Sequence, residues 1–324
     1  MPGRMPVSFF LLLASVGSQA WSQTYPSKPV RLIVGYAPGG SVDTVGRIFA
    51  QKLTTDLGQQ FVVENRPGVA SNIAADFVVR SAPDGYTLFM SSGTGLGTNM
   101  AFYNKMTYNP LKDLAPIAML VYQGNGLVVN PVVPAKTVKD LIALAKARPG
   151  QLNYGSAGSG SSQHMTAELF SKMTGVKMVN VPYKGGAPAL VDLISGQIDL
   201  VFSPLPECIP YIQAGRVRAL AVTGAARAAN LPDVPTVAES GLPGFEFEGF
   251  LGIAGPAAMP RDLVLRLNAA LNKAAASDDV KKRLLDLGLR LAGGGTPEQL
   301  GTHMREQTAL MVKIARDAGV KPLD

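Results

Sequence analysis

The sequence predicts an α/β protein of two Rossmann-like lobes, joined by a hinge through which the chain passes twice. Two stretches repeat one order of elements, in which glycine turns about 26 to 28 residues apart separate strands from helices. Three helical segments then follow without strands of their own. The apolar content of 47%, with 16% charged residues, is ordinary for a globular protein. About 300 residues are enough for two hydrophobic cores.

The first half-unit opens with an apolar strand at 30–34 and a glycine turn at 37–40. Apolar side chains at helical spacing between Val42 and Leu57 predict a helix that Gly58 ends. The half-unit continues with a strand, a turn, a helix and a strand at 61–63, 65–68, 73–79 and 86–90. Strands that alternate with helices in this way predict a parallel sheet.

The second half-unit repeats this order. Its strands are predicted at 151–154, 177–181, 198–202 and 217–222, its glycine turns at 155–160 and 182–186, and its helices around 165–173 and 190–194. Any two strand–helix–strand stretches look alike, but the matching order and spacing of the turns favours a true structural pair.

The segments outside the half-units predict how the lobes are assembled. Strand-like residues at 113–130 are interrupted by a Gly-Asn-Gly break at 124–126, and Thr137 with Asp140 forms a capping box. The three last helices start near Pro260, after Ser277 and at Thr296-Pro297, where Gln299 completes a second capping box, and the last ends at Gly319.

Because these three helices lack a sheet, we expect them to pack on the first lobe. The chain then crosses between lobes near Gln123 and near Phe247. The predicted division is residues 24–122 with 248–324 for lobe 1, and 123–247 for lobe 2. Two crossings form a hinge, and a cleft between the lobes follows.

The first twenty residues predict a signal peptide that is cleaved near Ala20. Arg4 precedes an apolar run at 9–16, and Ser18 and Ala20 place small side chains at the cleavage site. Later segments do not resemble a membrane span, so we expect a soluble protein exported to the periplasm. The single cysteine, Cys208, cannot form an internal disulfide.

Composition also bears on the function classes. The formal charge of +7 comes from scattered basic residues whose longest run is 281–283, which argues against nucleic-acid binding. Complete nucleotide-binding and nucleophile-elbow motifs are absent, and the two histidines do not form a metal cluster with other ligands. We therefore expect no cofactor, no metal and no catalytic residue.

The carboxyl ends of the predicted strands are the candidate ligand site, because ligands of open parallel sheets bind there. These ends consist mostly of Gly, Ala, Ser, Thr and Asn. Helices start near Ser41 and near Ser161, and a helix N-terminus attracts anions. One such end from each lobe suits a ligand with a carboxylate at each end. Each turn alone is explained by chain reversal; the whole set favours binding.

A few ionisable residues stand among these turns. Lys184 either pairs with a ligand carboxylate or is solvated. Asp43 either complements the helix dipole or contacts a ligand ammonium, hydroxyl or water. His164, just after Gly160, either binds a carboxylate or a neighbouring loop, whereas we expect His303 on the surface.

Several stretches together resemble one family, the Bug receptors of tripartite tricarboxylate transporters. The matching stretches run through the whole mature chain: 25–34, 36–43, 63–68, 83–88, 154–160 with His164, 181–186, 196–199 and 231–241. Each is short and common alone, but the set is specific.

The resemblance implies a type II periplasmic-binding-protein fold whose lobes close over a dicarboxylate, tricarboxylate, amino acid or small aromatic acid. It implies that the loops at 37–43 and 156–164 grip the carboxylate, largely through backbone amides and bridging waters. One departure is the run 69–72, where many members are richer in glycine; Asn72 is expected to contact the far end of the ligand. The predicted ligand-binding residues are Tyr36, Pro38, Gly39, Gly40, Asp43, Asn72, Ser91, Gly93, Ser156, Ser159, Gly160, Ser161, His164, Tyr183, Lys184 and Ser203.

The expected function is thus a monomeric receptor for a small carboxylate that hands its ligand to the permease subunits of a transporter. One alternative is a sensor whose closed form docks on a sensor kinase. The other is an exported enzyme on the same scaffold.

Overall fold

The computed structural model describes residues 25–317 and residue 322. The predicted signal peptide and the predicted helix end at Gly319 lie outside the described residues. Within the described part of the chain, the helices are all too short or too polar to cross a membrane.

Strands and helices alternate along most of the chain. The ten strands are β1 (Val30–Val34), β2 (Phe61–Asn65), β3 (Thr87–Ser92), β4 (Leu114–Val129), β5 (Asn153–Ser156), β6 (Val179–Pro182), β7 (Leu200–Pro204), β8 (Arg218–Val222), β9 (Glu248–Pro256) and β10 (Arg290–Leu291) in the described residues. The eleven helices there are α1 (Ser41–Leu57), α2 (Asn72–Val79), α3 (Gly93–Leu96), α4 (Pro110–Asp113), α5 (Val138–Ala147), α6 (Ser162–Thr174), α7 (Gly186–Ser195), α8 (Leu205–Gln213), α9 (Arg261–Ala276), α10 (Asp278–Asp286) and α11 (Pro297–Asp317).

Local sequence signals set several of these boundaries. Gly58 ends α1 in a left-handed conformation with φ 69°, as its position after Leu57 predicted. The capping box of Thr137 and Asp140 at the start of α5 is confirmed. Thr296 and Gln299 exchange the corresponding bonds at the start of α11, at 2.8 and 3.3 Å.

The first sheet has the order β2-β1-β3-β9-β4, with β10 added on β4. β2, β1 and β3 are parallel, as the first half-unit predicted, whereas β9 runs antiparallel to β3 and β4. The second sheet has the order β4-β7-β5-β6, in which β5 is parallel to both neighbours and β8 also pairs with β4.

β4 belongs to both sheets. Its residues up to Gly124 pair with β9, and from Asn125 onwards they pair with β7. The predicted Gly-Asn-Gly break at 124–126 is therefore wrong as an interruption of the strand. The strand continues through it because hydrogen bonds on either side hold the extended backbone, while its partner strand changes.

Separate apolar cores lie on the faces of the two sheets. In the first core, Leu267 and Leu271 of α9 and Leu284 of α10 pack with Leu32 of β1, and all four are buried. The C-terminal helices thus pack on the first sheet, as predicted. One core of the second sheet is built around Tyr154, Phe170, Phe202 and Phe245.

The fold class, an α/β protein of two lobes with a crossing between them, is confirmed. Helix α8 was not predicted, because Pro206 and Pro210 within it are poor helix formers. The exact division of the chain into lobes stays a prediction.

Candidate functional site

Two small adjoining cavities lie where the carboxyl ends of the strands of both lobes meet. The polar cavity measures about 30 Å³ and is lined by Tyr36, Gly40, Ser41, Val42, Ser92, Gln123, Ala157, Ser161, Ser162, Gln163, Gly186, Pro204 and Glu207. The mixed cavity measures about 40 Å³ and is lined by Ser92, Gly93, Thr94, Thr98, Gln123, Gly160, Ser162, Met165, Phe247, Glu248, Gly249, Phe250, Gln307 and Met311. Volumes of this size hold no more than a few waters.

Three helices begin at the polar cavity. Ser41 is the first residue of α1, Ser162 of α6 and Gly186 of α7, and all three residues line it. The first N–H groups of a helix have no partner inside the helix, and the helix dipole adds partial positive charge there. Helix α1 comes from the first half-unit and α6 and α7 from the second, so both lobes present anion-attracting ends to one space.

Polar contacts join the lobes around these cavities. The Ser41 N–H donates to Glu207 Oε1 at 2.8 Å, and the Ser41 hydroxyl donates to Gln123 Oε1. The Thr94 hydroxyl donates to the Gly160 carbonyl at 3.4 Å. The ends of α1 and α8 are thus held together by a carboxylate that belongs to the protein itself.

Glu207 is the ionisable group at the centre of this contact. Its Oε2 is shielded from water and has no hydrogen-bond partner among the described residues. Burial raises the pKa of Glu207 to about 7, although the bond from the Ser41 N–H works in the opposite direction. Near neutral pH this side chain can therefore be either a hydrogen-bond acceptor or, when protonated, a donor.

The mixed cavity has a more apolar wall. Met165, Phe247, Phe250 and Met311 line it beside the hydroxyls of threonines from the first lobe. A Cβ at Gly93 would lie 2.5 Å from the Phe250 ring, so this position requires glycine. Together the two cavities suit a ligand with one strongly polar end and a partly apolar body.

Five of the predicted site residues line the cavities, namely Tyr36, Gly40, Gly93, Gly160 and Ser161. The Tyr36 hydroxyl lies 2.7 Å from the hydroxyl of Ser92. Gly160 has φ +80°, and its N–H donates to His164 Nδ1 at 3.0 Å. These residues come from both half-units.

Asp43 supports the turn before α1. Its carboxylate is buried and accepts hydrogen bonds from the Gly39 N–H at 2.9 Å, from Arg47 at 3.0 Å and from Asn65 at 2.9 Å. Burial alone would raise the pKa of Asp43, but these bonds outweigh it and lower the pKa. The carboxylate thus fixes the shape of the turn and faces away from the cavities.

His164 supports the corresponding turn of the second half-unit. Its Nδ1 accepts the Gly160 N–H, so the proton of the neutral ring sits on Nε2, 3.8 Å from Glu168. The ring stacks on Tyr154 and meets the edge of Phe102, and burial lowers its pKa. The structure therefore places His164 behind the cavity wall, where it positions Gly160.

Asn72 and Ser91 turn into the first lobe. The side-chain Oδ1 of Asn72 accepts hydrogen bonds from the Asn99 amide at 2.5 Å and from the Tyr108 hydroxyl at 2.9 Å, and the Ser91 hydroxyl pairs with that of Ser71 at 3.0 Å. The residues before Asn72, at 69–71, all have positive φ of 46°, 48° and 77°. This backbone conformation favours glycine, but here three residues that carry side chains adopt it.

The other predicted residues lie around the rim or in the core. Pro38, Gly39 and Lys184 are exposed, while Ser156 and Ser203 are fully buried. The Tyr183 hydroxyl donates to Asp192 of α7 at 2.7 Å. The Ser159 carbonyl accepts from Tyr103 at 3.4 Å, so this residue joins the lobes through its backbone.

Sequence reasoning missed Glu207, Gln163, Gln123 and Ser92, which line the cavities. A usable signal existed for Glu207, because it lies only three residues after the end of β7. Gln163 lies in the first turn of α6. In the described residues, clusters of three or more His, Cys, Asp or Glu suited to a metal are absent.

The sequence model described as Tripartite tricarboxylate transporter family receptor matches residues 45–317 of this chain. A UPF0065 protein of Pseudomonas sp. (strain P51) is 37% identical over 316 residues, which are 96% of this chain and 94% of that protein. Protein BugT of Bordetella pertussis is 33% identical over 316 residues, or 97% of each chain.

Several solved structures are also similar to this chain. R. palustris Rpa4515 with adipate has a TM-score of 0.90 and 37% identity, over 92% of this chain and 100% of that one. The periplasmic binding protein BugD has a TM-score of 0.89 and 30% identity, over 92% and 100% of the two chains. MatC from Rhodopseudomonas palustris with bound malate has a TM-score of 0.85 and 31% identity, over 90% and 99%.

Proposed function

Because the chain belongs to the tripartite tricarboxylate transporter receptor family, we propose that it is a periplasmic solute-binding protein for a small carboxylate. In this proposal the ligand binds between the lobes, and the closed complex delivers it to the membrane permease subunits of such a transporter. The signal peptide, cleaved near Ala20, takes the chain to the periplasm. The periplasmic location of BugD and the adipate and malate of two solved relatives support the proposal.

The observation that carries the proposal is the meeting of three helix N-termini at one cavity. A carboxylate there accepts hydrogen bonds from backbone N–H groups at the starts of α1 and α6. Among the residues that the structure describes, the side chains that line the two cavities include no Lys, Arg or His, so the helix ends and hydroxyls are the groups that stabilise an anion. The helix ends and hydroxyl groups around this small space can donate and accept hydrogen bonds, which supports the binding of a small carboxylate.

The hinge is proposed at the two places where the chain passes between the sheets. One is β4 at Gly124 and Asn125, where the pairing partner changes, and the other is the start of β9 at Glu248. We assign 24–122 with 248–324 to lobe 1 and 123–247 to lobe 2. Opening at these strands separates α1 from α6 and α7, which admits the ligand.

A thermal-shift screen of mono-, di- and tricarboxylates and amino acids tests the binding step, with titration calorimetry of the hits. A ligand present at 100 times its Kd stabilises the protein by about 2.7 kcal/mol and raises Tm. The absence of any shift across the panel would contradict the proposal. Turnover of a bound acid would instead favour the alternative that the protein is an exported enzyme.

Delivery needs a separate test. We expect uptake of the bound acid by vesicles that contain the permease subunits to depend on added receptor. Uptake at the same rate without the receptor would leave binding intact and contradict delivery.

A further inference from the structure

The mixed cavity extends the polar cavity towards the last helix of the chain. Ser92, Gln123 and Ser162 line both cavities, so one ligand can reach from the starts of α1 and α6 into the mixed cavity. Two residues of α11, Gln307 and Met311, line the mixed cavity but not the polar one. A ligand whose carboxylate lies at these helix starts therefore points its other end towards α11.

The buried face of α11 meets different neighbours along its length. Met304 is 2% exposed and belongs to a core of the first sheet together with Phe89. Met311 lies about two helical turns later and is 6% exposed, but it belongs to another apolar cluster, which contains Met165 of α6. Met311 thus reaches from a helix that packs on the first sheet to a helix of the second half-unit.

The wall that Met311 completes is apolar. Met165, Phe247 and Phe250 line the mixed cavity beside it. A ligand gains affinity from such a wall through burial of apolar surface and close contact rather than through strong hydrogen bonds. That gain depends on fit, because a ligand that is too short leaves a void and one that is too long forces the wall to move.

We propose that Met311 is a specificity-determining residue whose side chain ends the ligand space at α11 and so sets the longest chain that the protein accepts. The inference rests on the proposed function and adds a length limit to it. An alanine in place of Met311 lacks Cγ, Sδ and Cε, so it lengthens the space by about three non-hydrogen atoms.

The other residues at this end of the cavity are less suited to this role. Gln307 is only half-buried, so a long ligand can displace its polar side chain towards solvent. Met165 lies one turn behind the start of α6, so it borders the ligand beside the carboxylate. Met311 is held in place by the buried side chains of its cluster, which include Phe102 and Ala315.

Titration calorimetry with two series of unbranched acids tests the inference, one from propionate to decanoate and one from malonate to sebacate. In the unmodified protein we expect affinity to rise by up to about fourfold for each added methylene, and to fall once the chain meets Met311. In Met311→Ala the best chain should be longer by up to about three carbons. Acids beyond the original limit should bind this variant about tenfold or more tightly than they bind the unmodified protein.

Met304→Ala is the matched control. It makes the same change on the same buried face of α11, but Met304 lines neither cavity. We expect both variants to lose stability, because each leaves a void, and only Met311→Ala to change the preferred chain length.

If Met311→Ala does not fold, the unmodified protein decides the question through NMR of isotope-labelled methionine methyl groups. The volume-conserving variants Met311→Leu and Met304→Leu assign the two signals. The Met311 signal should move further as the bound acid lengthens, whereas the Met304 signal should stay nearly constant. The same comparison applies to any other acid that the thermal-shift screen identifies.

An unchanged best chain length in folded Met311→Ala would overturn the inference, as would an equal change in Met304→Ala. A Met311 methyl signal that does not respond to bound acids would overturn it as well. Each of these results leaves carboxylate binding intact. Failure of every acid to bind would instead contradict the proposed function itself.

Discussion

The substitution Gly186→Ala tests the polar cavity while leaving the fold largely intact. Gly186 is the first residue of α7 and does not have a positive φ, so alanine adopts its backbone without strain. The new methyl group would lie 1.9 Å from Glu207 Oε2, and the flexible end of that side chain must move. Its movement breaks the bond between Glu207 Oε1 and the Ser41 N–H, which joins the lobes.

The magnitude follows from that lost bond and from the filled space. A hydrogen bond to a charged group contributes about 1.5–3 kcal/mol, so we expect ligand affinity to fall by about 10- to 150-fold. The free energy of unfolding should fall by about 0.5–2 kcal/mol, because the preference of a helix for alanine over glycine, about 1 kcal/mol, offsets only part of the lost bond.

Titration calorimetry measures the affinity, and urea unfolding measures the stability. Gly46→Ala is the matched control, since a Cβ there meets Val34 and Met90 at ordinary distances inside the first lobe. Unchanged affinity in a folded Gly186→Ala protein would refute the placement of the ligand at this cavity.

Three further substitutions test the supports of the site. Gly160→Val should lower the free energy of unfolding by about 2–4 kcal/mol, because Gly160 has φ +80° and its Cβ would lie 2.6 Å from the buried Phe102 ring; urea unfolding measures this. Asp43→Asn should lower it by about 1–3 kcal/mol at pH 7 through the weakened bond to Arg47, a loss that shrinks as the pH falls through the lowered pKa of Asp43. His164→Gln removes a group whose lowered pKa costs stability in acid, so the stability of the unmodified protein relative to this variant should rise from pH 5 to 7.

Each of these has an outcome that would contradict it. Gly39 also has a positive φ but an open space around its Cβ, so Gly39→Val should cost less than Gly160→Val. Equal costs would show that the Phe102 contact is unimportant. If the effect of Asp43→Asn on stability does not change with pH, the role assigned to Asp43 is wrong. If the difference in stability between the unmodified protein and His164→Gln is the same at pH 5 and pH 7, the role assigned to His164 is wrong.

Much of the fold could be predicted because its signals are local. The period of apolar residues between Val42 and Leu57, ended by Gly58, defines α1, and capping boxes define the starts of α5 and α11. The strand β4 could not be predicted in full, since glycines at 124 and 126 weaken strand propensity locally and distant partners supply the hydrogen bonds. Helix α8 contains two prolines, so its tertiary packing decides its conformation.

The site was predictable in position but only partly in detail. Glycine turns at the ends of parallel strands predicted a site at the edge where the two cavities lie, because that rule depends on topology alone. The direction of a side chain depends instead on partners far away in sequence. Asn65 donates a hydrogen bond to Asp43, and Tyr108 and Asn99 donate hydrogen bonds to Asn72. These polar groups therefore support the walls of the candidate site. Glu207 enters the cleft from a helix that the sequence pattern did not reveal.

In the proposed function, a carboxylate binds between the lobes on the starts of α1 and α6. A crystal structure of the protein with its tightest carboxylate ligand tests it most directly. We predict a ligand oxygen within about 2.7–3.2 Å of backbone N–H groups at these helix starts. A ligand seated elsewhere, such as in the surface groove beside His303 or behind the hinge near Arg290, would contradict the account.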